Sequence, residues 1–292
     1  LSRNTTIHSS IQSNIELITA DRYLWRFYAE GDGADLFLST LARVMGLSTQ
    51  TELTGSRSIS PDIKEVLIRV MPKGVSRKDF PIELEGRTIC EAGPMTSQRK
   101  MGLAMIRAAG VVARGCERNG GLLVHGALVE KNGTGVILAG PGGVGKSTAA
   151  GRLPAPWRAL SDDMCLIVKG RDGGYWAHAW PTLSRLRLGD LQGAWDVSQA
   201  VPVALICMLS QYEKDQLEFL SHNQAVSELV DVSGQTLVYA TGGMDDDVVR
   251  EVNLARFHSA VEVAKVLPVY RLRISLNGRF WEELDELLSA NG

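Results

Sequence analysis

The chain has 292 residues, enough for one large or two ordinary domains with a core that needs no disulfide or metal. Apolar residues make up 45% and charged residues 22%, which is typical of globular proteins and excludes a disordered, collagen-like or coiled-coil chain. The formal charge of −2 excludes a general electrostatic attraction to nucleic acid or anionic lipid. We therefore expect a folded protein that binds neither nucleic acid nor a membrane.

Apolar runs and cysteines indicate the compartment. No apolar run reaches the roughly 18 residues that a membrane span needs, and Arg107 interrupts the long run 101–113. The polar opening Leu-Ser-Arg-Asn does not resemble a secretory signal peptide. The four cysteines are widely spaced and too few for a disulfide scaffold or a zinc site. We therefore expect a cytoplasmic protein.

The first 95 residues are predicted to form a smaller α+β domain. They contain no motif for phosphate chemistry, so we expect this domain to recognise a partner or an acceptor. Apolar spacing and turn residues give the elements. In chain order these are two strands between 15 and 29 separated at Asp21-Arg22, a helix over 34–45, a loop over 46–61 and a strand over 62–70.

Residues 96–292 are predicted to form an α/β domain with a nucleotide-binding type of core. An amphipathic helix opens it, and strands and helices then alternate without an internal repeat. The expected helices cover 96–116, a short stretch after Ser147, a short segment opened by a capping box at Ser221–Gln224, 247–267 and 279–288. The expected strands cover 122–130, 136–139, 157–160, 164–169, 175–179, 203–209 and 269–274.

A phosphate-binding loop (P-loop) follows the strand 136–139. The sequence from residue 140 fits G-x-x-x-x-G-K-[ST], with an apolar strand before it and a helix after it. Glycines let backbone N–H groups point at phosphate oxygens, Lys146 reaches the β- and γ-phosphates, and the Ser147 hydroxyl binds Mg²⁺. The predicted nucleotide-binding residues are Gly140, Pro141, Gly142, Gly143, Val144, Gly145, Lys146, Ser147 and Thr148.

Two adjacent carboxylates, Asp162 and Asp163, follow Ser147 by 15 and 16 residues, at the end of the next predicted strand. One of them is able to hold Mg²⁺ while the other accepts the proton of an attacking hydroxyl. The sequence has no N-K-x-D triplet for guanine and no LSGGQ-type signature. A Ras-like GTPase and a transporter ATPase are therefore disfavoured.

These motifs resemble the HPr kinase family, whose P-loop core is distantly shared with phosphoenolpyruvate carboxykinases. The resemblance rests on LLVHGALVE, GVILAGPGGVGKSTAAGRL and WRALSDDMCLI in this order. Three further stretches, AWPTLSRLRL, VPVALICML with LSHNQAVSELV, and LPVYRLRI, are similar to HPr-kinase-like proteins of peptide-modification cassettes, including the SynChlorMet type. The resemblance covers roughly residues 96–292.

The resemblance implies roles for individual residues. His125 would lie near the transferred phosphate, and Lys146 with Ser147 would hold nucleotide and metal. Asp162 would be linked to the metal and Asp163 would accept the proton, although the sequence leaves the reverse assignment open. The second signature of true HPr kinase/phosphorylases, which runs into R-G-x-G, has no counterpart here. An acceptor other than the HPr protein is therefore expected.

Charged residues outside these motifs are weaker candidates. Arg185 and Arg187 share one face of a predicted strand, where they would clamp phosphate or an acidic substrate, or simply face solvent. The run at 245–247 precedes a predicted helix, so its charge is better explained by the positive helix N-terminus than by a metal site.

Two classes of function remain. The first is a kinase that uses ATP and Mg²⁺ to phosphorylate a hydroxyl group, for which Ser or Thr of a peptide or protein is the expected acceptor. The second is a nucleotide-binding regulatory or scaffolding module with little or no transfer activity. The combination of His125 with Asp162 and Asp163 favours the kinase, because a binding module has no chemical need for it. The sequence leaves open the acceptor, the choice among ATP, GTP and pyrophosphate, partner enzymes of a cassette, and whether the chain forms a homo-oligomer.

Overall fold

Two β-sheets and seven helices make up the part of the chain that the computed structural model describes, residues 11–53, 62–76, 78, 81–240 and 246–290. The strands are β1 (Ile11–Ile18), β2 (Leu24–Glu30), β3 (Thr49–Leu53), β4 (Ile63–Val70), β5 (Ile82–Leu84), β6 (Arg87–Ala92), β7 (Leu122–Lys131), β8 (Thr134–Ala139), β9 (Arg158–Ser161), β10 (Met164–Lys169), β11 (Tyr175–Ala179), β12 (Ala200–Gln211), β13 (Gln216–Phe219) and β14 (Val269–Ile274). The helices are α1 (Ala34–Val44), α2 (Gln98–Arg118), α3 (Lys146–Arg152), α4 (Leu183–Leu188), α5 (His222–Ala240), α6 (Asp246–Val266) and α7 (Trp281–Ala290). The predicted mixed α/β class is confirmed.

The first sheet is built from the N-terminal part and has the strand order β3-β1-β2-β4-β6-β5. Strands β2, β4 and β6 are parallel, whereas β1 is antiparallel to both of its neighbours. The prediction of a loop over 46–61 is wrong in part, because Thr49–Leu53 forms the edge strand β3. Pairing with β1 overrides the weak strand propensity of this polar segment. Residues 54–61 lie outside the described part.

The second sheet has eight strands, seven of them in the order β11-β10-β7-β8-β12-β14-β13, with β9 paired to β7. Its three central strands β8, β12 and β14 are parallel, and the hairpin β7–β8 turns at Asn132-Gly133, as the sequence predicts. Both turn residues have positive φ, 53° and 83°, which suits an Asn-Gly pair. Strand β11 also pairs with the start of β12, so the sheet folds back on itself.

Helix α2 joins the two sheets through one continuous core. Ser97 caps it by accepting a hydrogen bond from the Lys100 amide at 3.3 Å. One buried cluster contains Ile15 and Phe27 of the first sheet, Met105 of α2, and Leu166 of the second sheet. The predicted boundary near residue 95 therefore falls in the connection before α2, while the apolar core is shared across it.

A buried ion pair ties α2 to α6. Arg256 Nε lies 2.9 Å from Glu117 Oε1, and the two side chains are 4% and 2% exposed. Arg256 also donates to the Ser233 carbonyl of α5 at 2.8 Å, and the Ser259 hydroxyl donates to the Glu117 carbonyl at 2.8 Å. Burial raises the pKa of Glu117, and the charge and hydrogen bond of Arg256 oppose that shift. The pair therefore holds three helices together at a site without water access.

The helices α5 and α6 begin within one residue of their predicted starts. Ser221 donates its amide to Gln224 Oε1 at 3.0 Å, one half of the predicted capping box, although the helix that it opens is 19 residues long rather than short. Asp246 and Asp247 lie in the first turn of α6, whereas Asp245 lies outside the described residues.

All four cysteines are buried and free. Among the described helices, none combines the length and apolar character needed to cross a membrane.

Candidate phosphate-transfer site

The P-loop connects β8 to α3 at the carboxyl edge of the second sheet. Gly143 and Gly145 have φ of 79° and 105°, backbone conformations that side chains other than glycine rarely adopt. A Cβ at either position would meet nothing within 4 Å, so the loop surface is open above its amides. Gly145 also begins α3, because its carbonyl accepts the Ala149 amide at 2.8 Å. The predicted strand, loop and helix are thus all present.

Lys146 lies along the inside of this loop. Its Nζ donates to the carbonyl oxygens of Gly140 at 3.0 Å and Pro141 at 3.1 Å, and the residue is only 5% exposed. Burial lowers the pKa of the ammonium group, and the Asp163 carboxylate acts in the opposite direction. The charges of Lys146 and Asp163 therefore each favour the ionised form of the other. A buried ammonium group that donates hydrogen bonds to two carbonyl oxygens is suited to donate them to phosphate oxygens instead.

Asp163 and His125 form a direct contact beside the P-loop. His125 Nε2 lies 2.7 Å from Asp163 Oδ1, and the adjacent residue Met164 is the strand partner of His125 in the β7–β10 ladder. Burial acts to raise the pKa of Asp163, but the hydrogen bond and charge of His125, together with Lys146, outweigh it and lower the pKa. Asp163 is therefore held as a carboxylate. A backbone contact also joins His125 to the P-loop, since the Gly140 amide donates to the His125 carbonyl at 3.3 Å.

Gln235 of α5 completes this contact, and the sequence analysis did not identify it. Its Oε1 lies 2.6 Å from His125 Nδ1, so both ring nitrogens of His125 are engaged. Two acceptor oxygens satisfy the ring only when it is doubly protonated, unless the Gln235 amide is turned so that its nitrogen faces the ring. Gln235 stands 110 residues from His125, on a helix with no motif around it. Nothing in the sequence pattern distinguishes it from a solvent-facing glutamine.

Ser147 and Asp162 adjoin each other at the mouth of the loop. The Ser147 hydroxyl donates to the Asp162 carbonyl at 3.3 Å, and both residues are exposed. Among the described residues, no group of three or more His, Cys, Asp and Glu side chains is placed to hold a metal ion. One hydroxyl and one carboxylate nevertheless fit Mg²⁺, which takes few protein ligands and completes its shell with phosphate oxygens and water.

A cleft of about 380 Å³ opens next to His125 and Asp163. It is further lined by Gly142 of the P-loop, Gln235 and the first turn of α4. Apart from the His125–Asp163 pair, its lining carries no charged side chain among the described residues. The cleft is therefore suited to a neutral group placed within reach of Asp163.

The prediction that Arg185 and Arg187 share a strand face is wrong, because both lie in helix α4. Leu183 and Leu186 are buried at helical spacing, whereas Leu188 is 81% exposed. Residues two apart on a helix point in different directions. Arg185 donates to Asp190 Oδ2 at 2.8 Å and lies over the Trp195 ring, 5.6 Å from its centroid. The Arg185 side chain is thus engaged by two residues that follow α4 in the chain, Asp190 and Trp195.

Comparison with protein families gives one match. The family described as "SynChlorMet cassette protein ScmC" matches residues 88–289, from β6 to the last helix, and thus more than half of the chain. A comparison with curated proteins finds no match.

Proposed function

Since the chain belongs to the ScmC family of SynChlorMet cassette proteins, we propose that it is an ATP-dependent kinase with an HPr kinase-like P-loop core. The proposed reaction transfers the γ-phosphate of ATP to a hydroxyl group, with Ser or Thr of a peptide or protein as acceptor. The observation that carries this proposal is the position of the Asp163 carboxylate, in contact with His125 and electrostatically coupled to Lys146 of the P-loop.

Asp163 is the proposed general base. Its Oδ1 faces His125, which leaves the second carboxylate oxygen to accept the proton of a hydroxyl in the adjacent cleft. His125 has both ring nitrogens engaged and so acts on Asp163 rather than on the acceptor. A scaffold that only bound nucleotide would gain nothing from holding a half-buried carboxylate at this point.

Lys146 and the loop amides would bind the β- and γ-phosphates and stabilise charge on the transferred group. Ser147 and Asp162 would hold Mg²⁺ together with phosphate oxygens. When bound, Mg²⁺ supplies positive charge that offsets the phosphate charge during transfer. Apart from His125 and Asp163, the described lining of the cleft carries no charged side chain, and the Asp163 carboxylate would repel an acidic group, so the cleft supports an uncharged hydroxyl acceptor.

The cassette suggests where the acceptor is found. Peptides and enzymes encoded in the same cassette are the proposed partners, and the first sheet with α1 is the proposed surface for recognising them. The direct test is incubation of the full chain with γ-labelled ATP, Mg²⁺ and each cassette product in turn. Label on a Ser or Thr of one product supports the kinase. ATP binding without label transfer to any product would favour the regulatory nucleotide-binding module instead.

Replacing Lys146 with alanine should weaken nucleotide binding by roughly ten- to a hundredfold, the factor that corresponds to loss of a charge-assisted contact of about 1.5–3 kcal/mol. Calorimetric titration with MgATP measures the change. Lys265→Ala is the matched control, because Lys265 is an exposed lysine of α6 paired only with Glu262 on the surface. Equal affinities of the Lys146 variant and the wild-type protein would remove Lys146 from the site.

A further inference from the structure

Strands β12 and β14 end at the same edge of the sheet as the P-loop. Met208 of β12 pairs with Ala139, the last residue of β8, and Gln211 pairs with Ile274 at the end of β14. All three strands are parallel, and the carboxyl edge of parallel strands is where α/β proteins bind their ligands. The residues that follow β12 and β14 therefore border the P-loop on its far side from His125.

Direct contacts connect this edge to the loop. The side-chain amide of Gln211 lies 3.3 Å from the Val144 carbonyl and 3.5 Å from that of Gly143. Tyr212 is the next residue, and its amide donates to the Ile274 carbonyl at 2.9 Å. The backbone of Tyr212 is thus fixed between the two strand ends, one residue away from a side chain that touches the P-loop.

Tyr212 presents an aromatic ring at this fixed point. The residue is 55% exposed, and the guanidinium of Arg273 lies over the ring, 5.7 Å from its centroid. Arg273 is in turn held by Glu218 at 3.1 Å. An exposed ring with a restrained position offers a stacking surface at a small entropic cost.

Leu276, in the connection after β14, adds a second exposed apolar side chain at this edge and is 82% exposed. Its connection is tied to α3, because Arg152 donates to the carbonyls of Ser275, at 2.8 Å, and Gly278. The helix that starts at the P-loop thus also holds the segment that carries Leu276.

His125 and Asp163 lie on one side of β8, the strand that leads into the P-loop, and Tyr212 lies on the other side. His125 belongs to β7 and Asp163 precedes β10, whereas Tyr212 follows β12, and β8 lies between β7 and β12. If the γ-phosphate of a bound triphosphate faces Asp163, this strand order places β12 and β14 on the side of its other end. The group attached at that end of a nucleotide is the nucleoside.

We propose that Tyr212, together with Leu276, forms a stacking subsite for a nucleobase, and that the phosphate donor is a nucleoside triphosphate rather than inorganic pyrophosphate. The inference rests on the proposed kinase function, because it places the donor's phosphates in the P-loop. Stacking on a tyrosine ring does not read the hydrogen-bonding edge of the base. The subsite therefore accepts adenine and guanine alike.

The test compares ADP with pyrophosphate, each with Mg²⁺, by calorimetry on the full chain. The wild-type protein should bind ADP roughly five- to a hundredfold more tightly than pyrophosphate, the range of base–aromatic stacking. Tyr212→Ala should remove that difference and leave pyrophosphate affinity unchanged, whereas Tyr212→Phe should retain it. Phe219→Ala is the matched control, because Phe219 is similarly exposed at 64% but lies at the opposite end of β13 from the P-loop edge. It should change neither affinity.

Lys146→Ala separates failure of this subsite from failure of the proposed function. If Lys146→Ala weakens pyrophosphate binding while ADP binds no more tightly than pyrophosphate, the P-loop assignment stands and the nucleobase subsite is overturned. Equal weakening of both ligands by Tyr212→Ala, or a Tyr212→Phe variant that behaves like Tyr212→Ala, also overturns it. Binding of neither ligand, or pyrophosphate binding that ignores Lys146, overturns the P-loop assignment and the subsite with it.

Discussion

Replacing Asp163 with asparagine should slow phosphate transfer by roughly 10²- to 10⁴-fold, the usual contribution of a general base. Asparagine keeps the shape of the side chain and its contact with His125 but has no negative charge to accept a proton. MgATP affinity should change little, because the phosphates are bound by the P-loop and not by this carboxylate. Single-turnover transfer of label to the identified acceptor measures the rate, and calorimetry measures the affinity.

Two further aspartate variants make this result specific. Asp162→Asn should weaken binding of Mg²⁺-nucleotide, because it removes the negative charge of the carboxylate proposed to hold the metal. The backbone contact of Asp162 with the Ser147 hydroxyl is unchanged by this substitution. Asp172→Asn should behave as the wild-type protein, because Asp172 caps a turn between β10 and β11 by accepting the Gly174 amide. Normal transfer by Asp163→Asn would contradict the base assignment. If Asp162→Asn instead lost transfer with intact binding, the two carboxylates would have exchanged roles.

Replacing Arg256 with methionine should lower the free energy of unfolding by about 3–5 kcal/mol, because it leaves the buried Glu117 carboxylate without its ion-pair partner. Methionine has a similar length, so the loss reflects charge more than volume. Urea unfolding followed by circular dichroism measures the change.

The double variant Glu117→Leu/Arg256→Met should recover most of that loss, since an apolar pair of similar volume often replaces a buried ion pair at little cost. The control is Lys265→Met, which breaks an exposed pair with Glu262 and should cost less than about 1 kcal/mol. A double variant as unstable as the single one would show that packing, rather than the unpaired charge, determines stability here.

Local sequence patterns were sufficient for most of the elements and for the P-loop. Asn132-Gly133 specifies a hairpin because both residues adopt positive φ, and Gly143 and Gly145 specify the loop for the same reason. The apolar residues of α2 likewise recur at helical spacing, which is visible in the sequence of that segment alone. Around Leu186 the two-residue spacing of Arg185 and Arg187 indicates a strand, whereas the structure forms helix α4, in which Leu183 and Leu186 are the buried residues.

What the sequence alone determined is therefore the character of single segments: a glycine-rich loop of the P-loop pattern that includes a lysine and a serine, and two carboxylates at the end of a strand. Only the tertiary structure decided how these groups are arranged. The pairing of β7 with β10 brings His125 beside Asp163, and the packing of α5 brings Gln235 onto the same ring from 110 residues away. Such contacts depend on strand order and helix packing, which arise from the burial of the whole core and leave no mark in the local pattern. The same holds for Gln211, whose side chain contacts the P-loop carbonyls only because β12 lies parallel to β8.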